Sequence, residues 1–270
     1  MKKYLKMIRN IVFFCGIYLV ITNIISFLYI LLDPKLYKAN TMENISKSLM
    51  NNIYILTAIS SAITFIIYLL VLRNKSENLW ARCNFEKIKA PSVFSSVLLA
   101  ISLSAFSCSM VSLLQNKFES YKQVSDTIGA AYGSILSMVC IIILAPIFEE
   151  ILFRGLIFNE LKKNINLVTA VILQAIIFAL FHGNMLQGIY TFILGIILSI
   201  LYISTNSIWS NILCHIVYNL FGSLLMPLAL SYTKNYVFVY IGTGLIVTAI
   251  LLINLFKNST KLANSQDLKA

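Results

Sequence analysis

Charged residues are scarce in this chain, and their scarcity excludes most soluble folds. Only 11% of its 270 residues are Asp, Glu, Lys or Arg, whereas 59% are hydrophobic. Soluble domains usually carry about 25% charged and about 45–50% apolar residues. We therefore predict an all-α bundle that crosses a membrane several times, because helices satisfy their own backbone hydrogen bonds in lipid.

Cysteine pairs and a basic domain are also missing. The five cysteines form no CxxC pair and no close cluster, which favours small buried side chains over disulfides or a cysteine metal site. The net charge is +11, but Lys and Arg lie in short loops between apolar runs. That distribution is typical of membrane-orientation signals and gives no indication of a nucleic-acid partner.

The apolar residues fall into about eight segments. A helix needs about 20 residues to cross a bilayer, and most of the segments reach that length. The fifth and sixth are slightly short, and the sequence HGNMLQG between them predicts a tight, partly buried turn. Pro146 is predicted to kink or break the fourth helix. The approximate limits of the segments are 11–32, 52–72, 92–115, 131–160, 167–182, 186–204, 208–231 and 236–256.

The order of these segments suggests four regions and one orientation. We separate N-terminal transmembrane helices (1–130), a core (131–231), a last transmembrane helix (232–256) and a polar tail (257–270). With eight spans and the N-terminus inside, 15 of the 21 Lys and Arg residues fall on the inner side. The positive-inside rule then predicts a multi-pass protein with both termini in the cytoplasm.

Five ionisable residues interrupt the apolar segments between residues 127 and 230. They are Glu149, Glu150, Arg154, His182 and His215, and the two histidines are the only ones in the chain. A charge within a bilayer costs from about 2.5 to more than 10 kcal/mol, so such residues are typically functional. Helical spacing pairs Glu150 with Arg154 and leaves Glu149 without that partner.

These residue types suit hydrolysis of a peptide bond. A carboxylate such as Glu149 can activate water, and His215 and Asn219, four residues apart on one helix face, can donate to an oxyanion. Alternatively, Glu149, His182 and His215 bind Zn²⁺, which polarises the water. The zincin motif HExxH is absent, and the residue types alone leave both mechanisms open.

Three ordered motifs carry a family resemblance. EEILFR (149–154) fits EExxxR, FALFH (178–182) fits FxxxH, and HIVYN (215–219) fits HxxxN. On successive membrane helices they resemble the CPBP, or ABI, family of intramembrane proteases. That family includes the CAAX prenyl endopeptidases of eukaryotes and bacterial proteins tied to bacteriocin processing or self-immunity. The resemblance covers about residues 131–231, which would form the catalytic core.

The resemblance implies a role for each motif residue. Glu149 would activate the attacking water together with His182. His215 and Asn219 would stabilise the oxyanion.

Glu150 and Arg154 would be supporting motif residues. The family has been described as metal-dependent and as glutamate-type, so the cofactor would be Zn²⁺ or none. Engagement of Glu150 by Arg154 favours the glutamate mechanism, as does Asn219, which is a better hydrogen-bond donor than zinc ligand.

The expected partners are membrane lipids and a peptide or protein substrate, with no nucleic acid. The short chain and its bare N-terminus look more like the bacterial members than the eukaryotic endopeptidase, which would place the protein in a bacterial plasma membrane.

Two other functions fit the same residues. A catalytically silent bacteriocin-immunity or partner-binding protein could keep this fold and these motifs. A proton-coupled transporter would also need carboxylates and histidines within the membrane. Transporters often contain repeated halves and paired discontinuous helices, and neither pattern is present in the sequence.

Overall fold

The computed structural model describes residues 2–38, 41–73 and 77–267, and these form helices without any β-strand among them. Seven of the helices are long and apolar enough to cross a membrane, which confirms the predicted all-α, multi-pass membrane fold. The principal helices are α1 (Lys2–Leu32), α2 (Met42–Leu72), α3 (Ala90–Leu114), α4 (Tyr121–Ala131), α5 (Ile135–Lys162), α6 (Leu167–Leu180), α7 (Met185–Thr205), α8 (Ile208–Tyr232) and α9 (Val237–Asp267).

Helix α6 is the predicted segment that is too short to span a bilayer. Its 14 residues extend about 21 Å, against a hydrocarbon core of about 30 Å. It packs antiparallel to α7, since Ser199 donates to the side chain of Gln174 at 2.6 Å while Gly188 lies beside Ala179. The chain therefore turns back between α6 and α7 before α6 has reached a full membrane thickness.

The turn between α6 and α7 has the conformation that its sequence requires. Gly183 has φ +64°, a left-handed conformation that favours glycine. Asn184 then caps α7, its side chain accepting a hydrogen bond from the backbone N–H of Gln187 at 3.2 Å. This is the tight turn predicted for HGNMLQG.

Helix α5 contains two π-helical stretches that flank the carboxylate pair. They span Cys140–Leu144 and Ile151–Phe158. The helix continues through Pro146, so the predicted break does not occur there. The π-helical stretch Cys140–Leu144, whose hydrogen bonds join residues five apart, comes directly before this part of the helix. Gly155 allows close packing further on, because a Cβ at this position would lie 2.3 Å from the sulfur of Cys83.

Contacts between loops divide the helix ends into two faces. On one face, Asn10 donates to the carboxylate of Glu160 at 3.1 Å, and Asn159 donates to the carbonyl of Arg82 at 2.6 Å. The hydroxyl of Tyr202, near the end of α7, donates to the carbonyl of Cys83 at 3.2 Å, so the ends of α5 and α7 meet the segment that precedes α3. We call this the basic face, and it comprises residues 2–10, 77–89, 159–166 and 202–208.

The other helix ends meet at what we call the opposite face. Asn184 donates to Ser120 at 3.0 Å, and the hydroxyl of Tyr132 donates to the carbonyl of Ser223 at 2.5 Å. The opposite face comprises residues 29–52, 115–134, 181–187 and 223–237.

The last helix returns the chain to the basic face. Helix α9 packs antiparallel to α3, with Thr248 and Ser102 joined by a 2.9 Å hydrogen bond and Gly244 lying against Phe106. It continues as a helix through Asp267, into the region predicted to be a polar tail, while 268–270 lie outside the described residues. Both ends of the described chain are thus on one face, as the predicted topology requires.

Candidate active site

A cavity of about 1100 Å³ lies between α2, α3, α4, α5, α7 and α8. Its wall includes all four residues predicted to be catalytic: Glu149, His182, His215 and Asn219. The supporting residues Glu150 and Arg154 are fully buried behind this wall. The structure therefore brings side chains from α5, α8 and the α6–α7 turn around one space.

Glu150 and Arg154 form the ion pair that their spacing predicts. Arg154 Nη1 lies 2.8 Å from Glu150 Oε1, and neither side chain is accessible to solvent. The guanidinium also lies 4.5 Å from the centre of the Phe178 ring. Its charge is thus compensated by a carboxylate and by an aromatic face within the bundle.

Glu150 also holds the imidazole of His215 in place. Glu150 Oε1 lies 2.7 Å from Nδ1 of His215, and its Oε2 accepts a hydrogen bond from the side chain of Asn211 at 3.2 Å. An ionised carboxylate only accepts hydrogen bonds, so Nδ1 of His215 carries the proton and Nε2 is directed to the cavity.

Asn211 was not predicted from the sequence. It is completely buried, and its amide also donates to the carbonyl of Leu198 at 2.7 Å. The available signal was its position one helical turn before His215, in line with His215 and Asn219 on one face of α8.

Glu149 is the carboxylate that faces the cavity. Its side chain is 25% exposed, and Oε2 lies 3.7 Å from Nε2 of His215. This separation is too long for a direct hydrogen bond, so a lone pair of the Glu149 carboxylate remains available to a water molecule. Glu149 also interacts electrostatically with His182, which lines the same cavity.

His182 lies in the turn just after α6, where it caps the helix. Its Nδ1 is 2.9 Å from the carbonyl oxygen of Phe178, one of the carbonyls left without a partner at the helix end. Because a carbonyl only accepts, Nδ1 carries the proton and Nε2 is an acceptor in the neutral ring. The Phe178 ring packs edge-on against the imidazole, with the two ring centres 4.9 Å apart.

Asn219 has a structural partner that the sequence did not reveal. Its side-chain amide donates to the carbonyl of Ile141 at 2.9 Å. In the π turn that ends at Leu144, the N–H of residue 145 bonds to Cys140, so the donor for Ile141 would be residue 146. Pro146 has no N–H, and Asn219 supplies the missing donor.

We expect Asn219→Ala to reduce stability as well as any activity. The substitution would leave the buried carbonyl of Ile141 without a donor, at a cost of about 1–3 kcal/mol. Unfolding of purified protein by denaturant in micelles measures this difference. A variant with wild-type stability would show that the contact to Ile141 contributes nothing to the fold.

The predicted zinc ligands are not arranged as a zinc site. Among the described residues, no group of three His, Cys, Asp or Glu side chains could hold a metal ion. Glu149 and His215 approach one another, but His182 does not complete a ligand set with them. A catalytic zinc needs three such protein ligands at about 2.0–2.2 Å. The arrangement therefore does not fit this metal.

A protein-family model matches the segment that carries the three motifs. Residues 131–221, which include all the motif residues, match the family model described as type II CAAX prenyl endopeptidase Rce1-like. The predicted resemblance to CPBP and CAAX-protease proteins is confirmed by this match.

A curated bacterial protein is similar to the chain as well. It is 31% identical over 94 residues to a protein of Bacillus subtilis (strain 168) named "Putative membrane peptidase YdiL". The match covers 35% of this chain and 37% of the relative, so the chain aligns with little more than a third of that protein's length. No solved structure matches the chain. The segment that matches the family model supplies Glu149, His182, His215 and Asn219 to the cavity wall.

Proposed function

We propose that this integral membrane protein is an endopeptidase that hydrolyses a peptide bond inside the membrane by a glutamate-activated water. The observation that carries the proposal is that two adjacent carboxylates have different surroundings. Glu150 is buried and fully engaged by Arg154, His215 and Asn211. Glu149 faces the cavity and has a lone pair for a water molecule.

Glu149 acts as the general base. It accepts a proton from a water molecule held beside Nε2 of His182, and the resulting hydroxide adds to the carbonyl carbon of the substrate. The C–N bond of the tetrahedral intermediate then breaks, and the amine leaves with a proton returned by Glu149. A positioned group of this kind accelerates proton transfer by about 10²–10⁴-fold.

Asn219 and His215 stabilise the negative charge on the intermediate. Asn219 uses one of its two N–H groups on Ile141, and the other can donate to an oxyanion. His215 presents Nε2 to the cavity while Glu150 holds its Nδ1, so a protonated imidazole can donate as well. Glu150, Arg154 and Asn211 are positioning residues, since they act on the substrate only through His215.

Substrate trapping tests the proposal. Membranes that contain the Glu149→Gln variant should retain an intact peptide that co-purifies with the protein, and the wild type should convert the same peptide into two products with new termini. Mass spectrometry of both preparations identifies the scissile bond. Retention of the intact peptide by wild type and variant alike would instead favour a silent partner-binding or immunity protein.

Metal dependence provides a separate test of the mechanism. We expect treatment with a zinc chelator, followed by its removal, to leave both cleavage and thermal unfolding unchanged, because the cavity residues do not form a three-ligand site. Metal analysis of the purified protein is the second readout. Stoichiometric zinc that is lost from a His182→Ala variant would contradict the glutamate mechanism.

A further inference from the structure

The cavity is built from helix ends that meet at the opposite face. Residues that line it at that face come from α2, the α3–α4 loop, α4, the α6–α7 turn and the α8–α9 connection. Examples are Met50, Ser120, Tyr132, Gly183 and Lys234. Among the described lining residues, none belongs to the basic face as defined above.

The basic-face side of the site is closed by packed residues. His215 lies about 10 Å from the basic-face end of α8, given a rise of 1.5 Å per residue. Between it and that end lie Asn211 and Ile208, both fully buried, and Glu150 and Arg154 are fully buried on α5. A peptide therefore cannot reach Glu149 from the basic face without disrupting this layer.

The two faces also differ in charge. Of the 21 Lys and Arg residues of the sequence, only six lie in the segments of the opposite face: Lys35, Lys38, Lys47, Lys117, Lys122 and Lys234. Apart from Arg154, which is buried within the bundle, the other Lys and Arg residues that the structure describes lie in the basic-face segments or at the ends of α2 and α9 that lead to that face. The positive-inside rule assigns the more basic side to the cytoplasm.

We propose that the cavity opens on the extracytoplasmic side of the membrane and takes peptide segments presented from that side. The identity of the occupant as a substrate rests on the proposed function. The orientation rests on the direction of the helices and on their charges alone. An enzyme in this orientation would act on an exported peptide or on the outer segment of a membrane protein.

The lining of the cavity indicates the chemistry of that peptide. Glu149 and Lys234 are its only Asp, Glu, Lys or Arg among the described residues, and Lys234 is exposed at the opposite face. Hydroxyl groups, including those of Ser120, Ser125 and Tyr121, line the same end. A polar rim with one ammonium group favours an extended neutral or acidic peptide over a basic one.

Cysteine accessibility tests the orientation without requiring activity. Ser125→Cys places a thiol on exposed α4 at the cavity entrance, and Ala81→Cys places one at an exposed position of the basic face. Neither substitution changes a charge, so neither alters the balance that sets orientation. Both are made in a Cys108→Ser background, because Cys108 is the native cysteine that lines the cavity.

Spheroplasts of a bacterial host are treated with a membrane-impermeant maleimide before and after lysis. We expect Ser125→Cys to be labelled in intact spheroplasts and Ala81→Cys to be labelled only after lysis. Labelling of Ala81→Cys in intact spheroplasts, or protection of Ser125→Cys, overturns the orientation. If the labelling agrees but no peptide is ever cleaved, the proposed function fails while the orientation stands.

Discussion

Replacing Glu149 with Gln should lower kcat for a susceptible peptide by about 10²–10⁴-fold, the usual contribution of a general base. The amide is nearly isosteric with the carboxylate but cannot take a proton from water. Because the Glu149 side chain is partly exposed and lies 3.7 Å from its nearest ionic partner, the fold should tolerate the change. Cleavage kinetics and thermal unfolding of the same preparation measure the two effects.

Glu77 provides a matched control for this substitution. It lies on the basic face and forms an ion pair with Lys163, whose hydrogen bond and charge lower the pKa of the Glu77 carboxyl. Both side chains are about half exposed, so the pair contributes little to stability. Glu77→Gln should retain wild-type kinetics. Wild-type kcat in Glu149→Gln would remove Glu149 from the mechanism.

Replacing Arg154 with Met should destabilise the protein by about 3–5 kcal/mol, the cost of leaving a buried charge unpaired. Arg154 and Glu150 are both inaccessible to solvent, and the substitution leaves the Glu150 carboxylate with only His215 and Asn211 as partners. The free energy of unfolding in micelles measures this loss. A change below about 1 kcal/mol would place the pair among weak, solvent-screened contacts.

The double variant Glu150→Met/Arg154→Met separates stability from activity. Apolar side chains of similar volume often replace a buried ion pair without loss, so the double variant should be more stable than Arg154→Met alone. We expect the double variant not to cleave the peptide, because His215 loses the carboxylate that holds its Nδ1. Recovery of cleavage together with stability would show that His215 needs no such support.

Contacts between residues four apart in the chain could be predicted from the sequence, because helical spacing alone indicates them. The pairing of Glu150 with Arg154 and the packing of Phe178 against His182 follow from a separation of four residues, and the structure contains both. The tight turn at Gly183 was predicted on similar grounds, since few residues adopt its backbone conformation.

Contacts between helices could not be predicted in this way. The hydrogen bond from Asn219 to Ile141 depends on the rotation of α8 relative to α5. It also depends on a π turn that the sequence pattern does not predict. Asn211 was missed because a buried amide beside apolar residues looks like any interhelical contact. The sequence also overestimated the length of α6, because the apolar run continues through Phe181 and His182 after the helix has ended.

The shortness of α6 has a consequence for the surrounding lipid. A helix of about 21 Å cannot match acyl chains that fill about 30 Å, so the leaflet beside the α6–α7 turn must become locally thinner or let headgroups sink. His182 lies in that turn. The chemistry is thus coupled to membrane thickness, and lipids with longer tails would oppose the deformation that brings headgroups and solvent close to the imidazole.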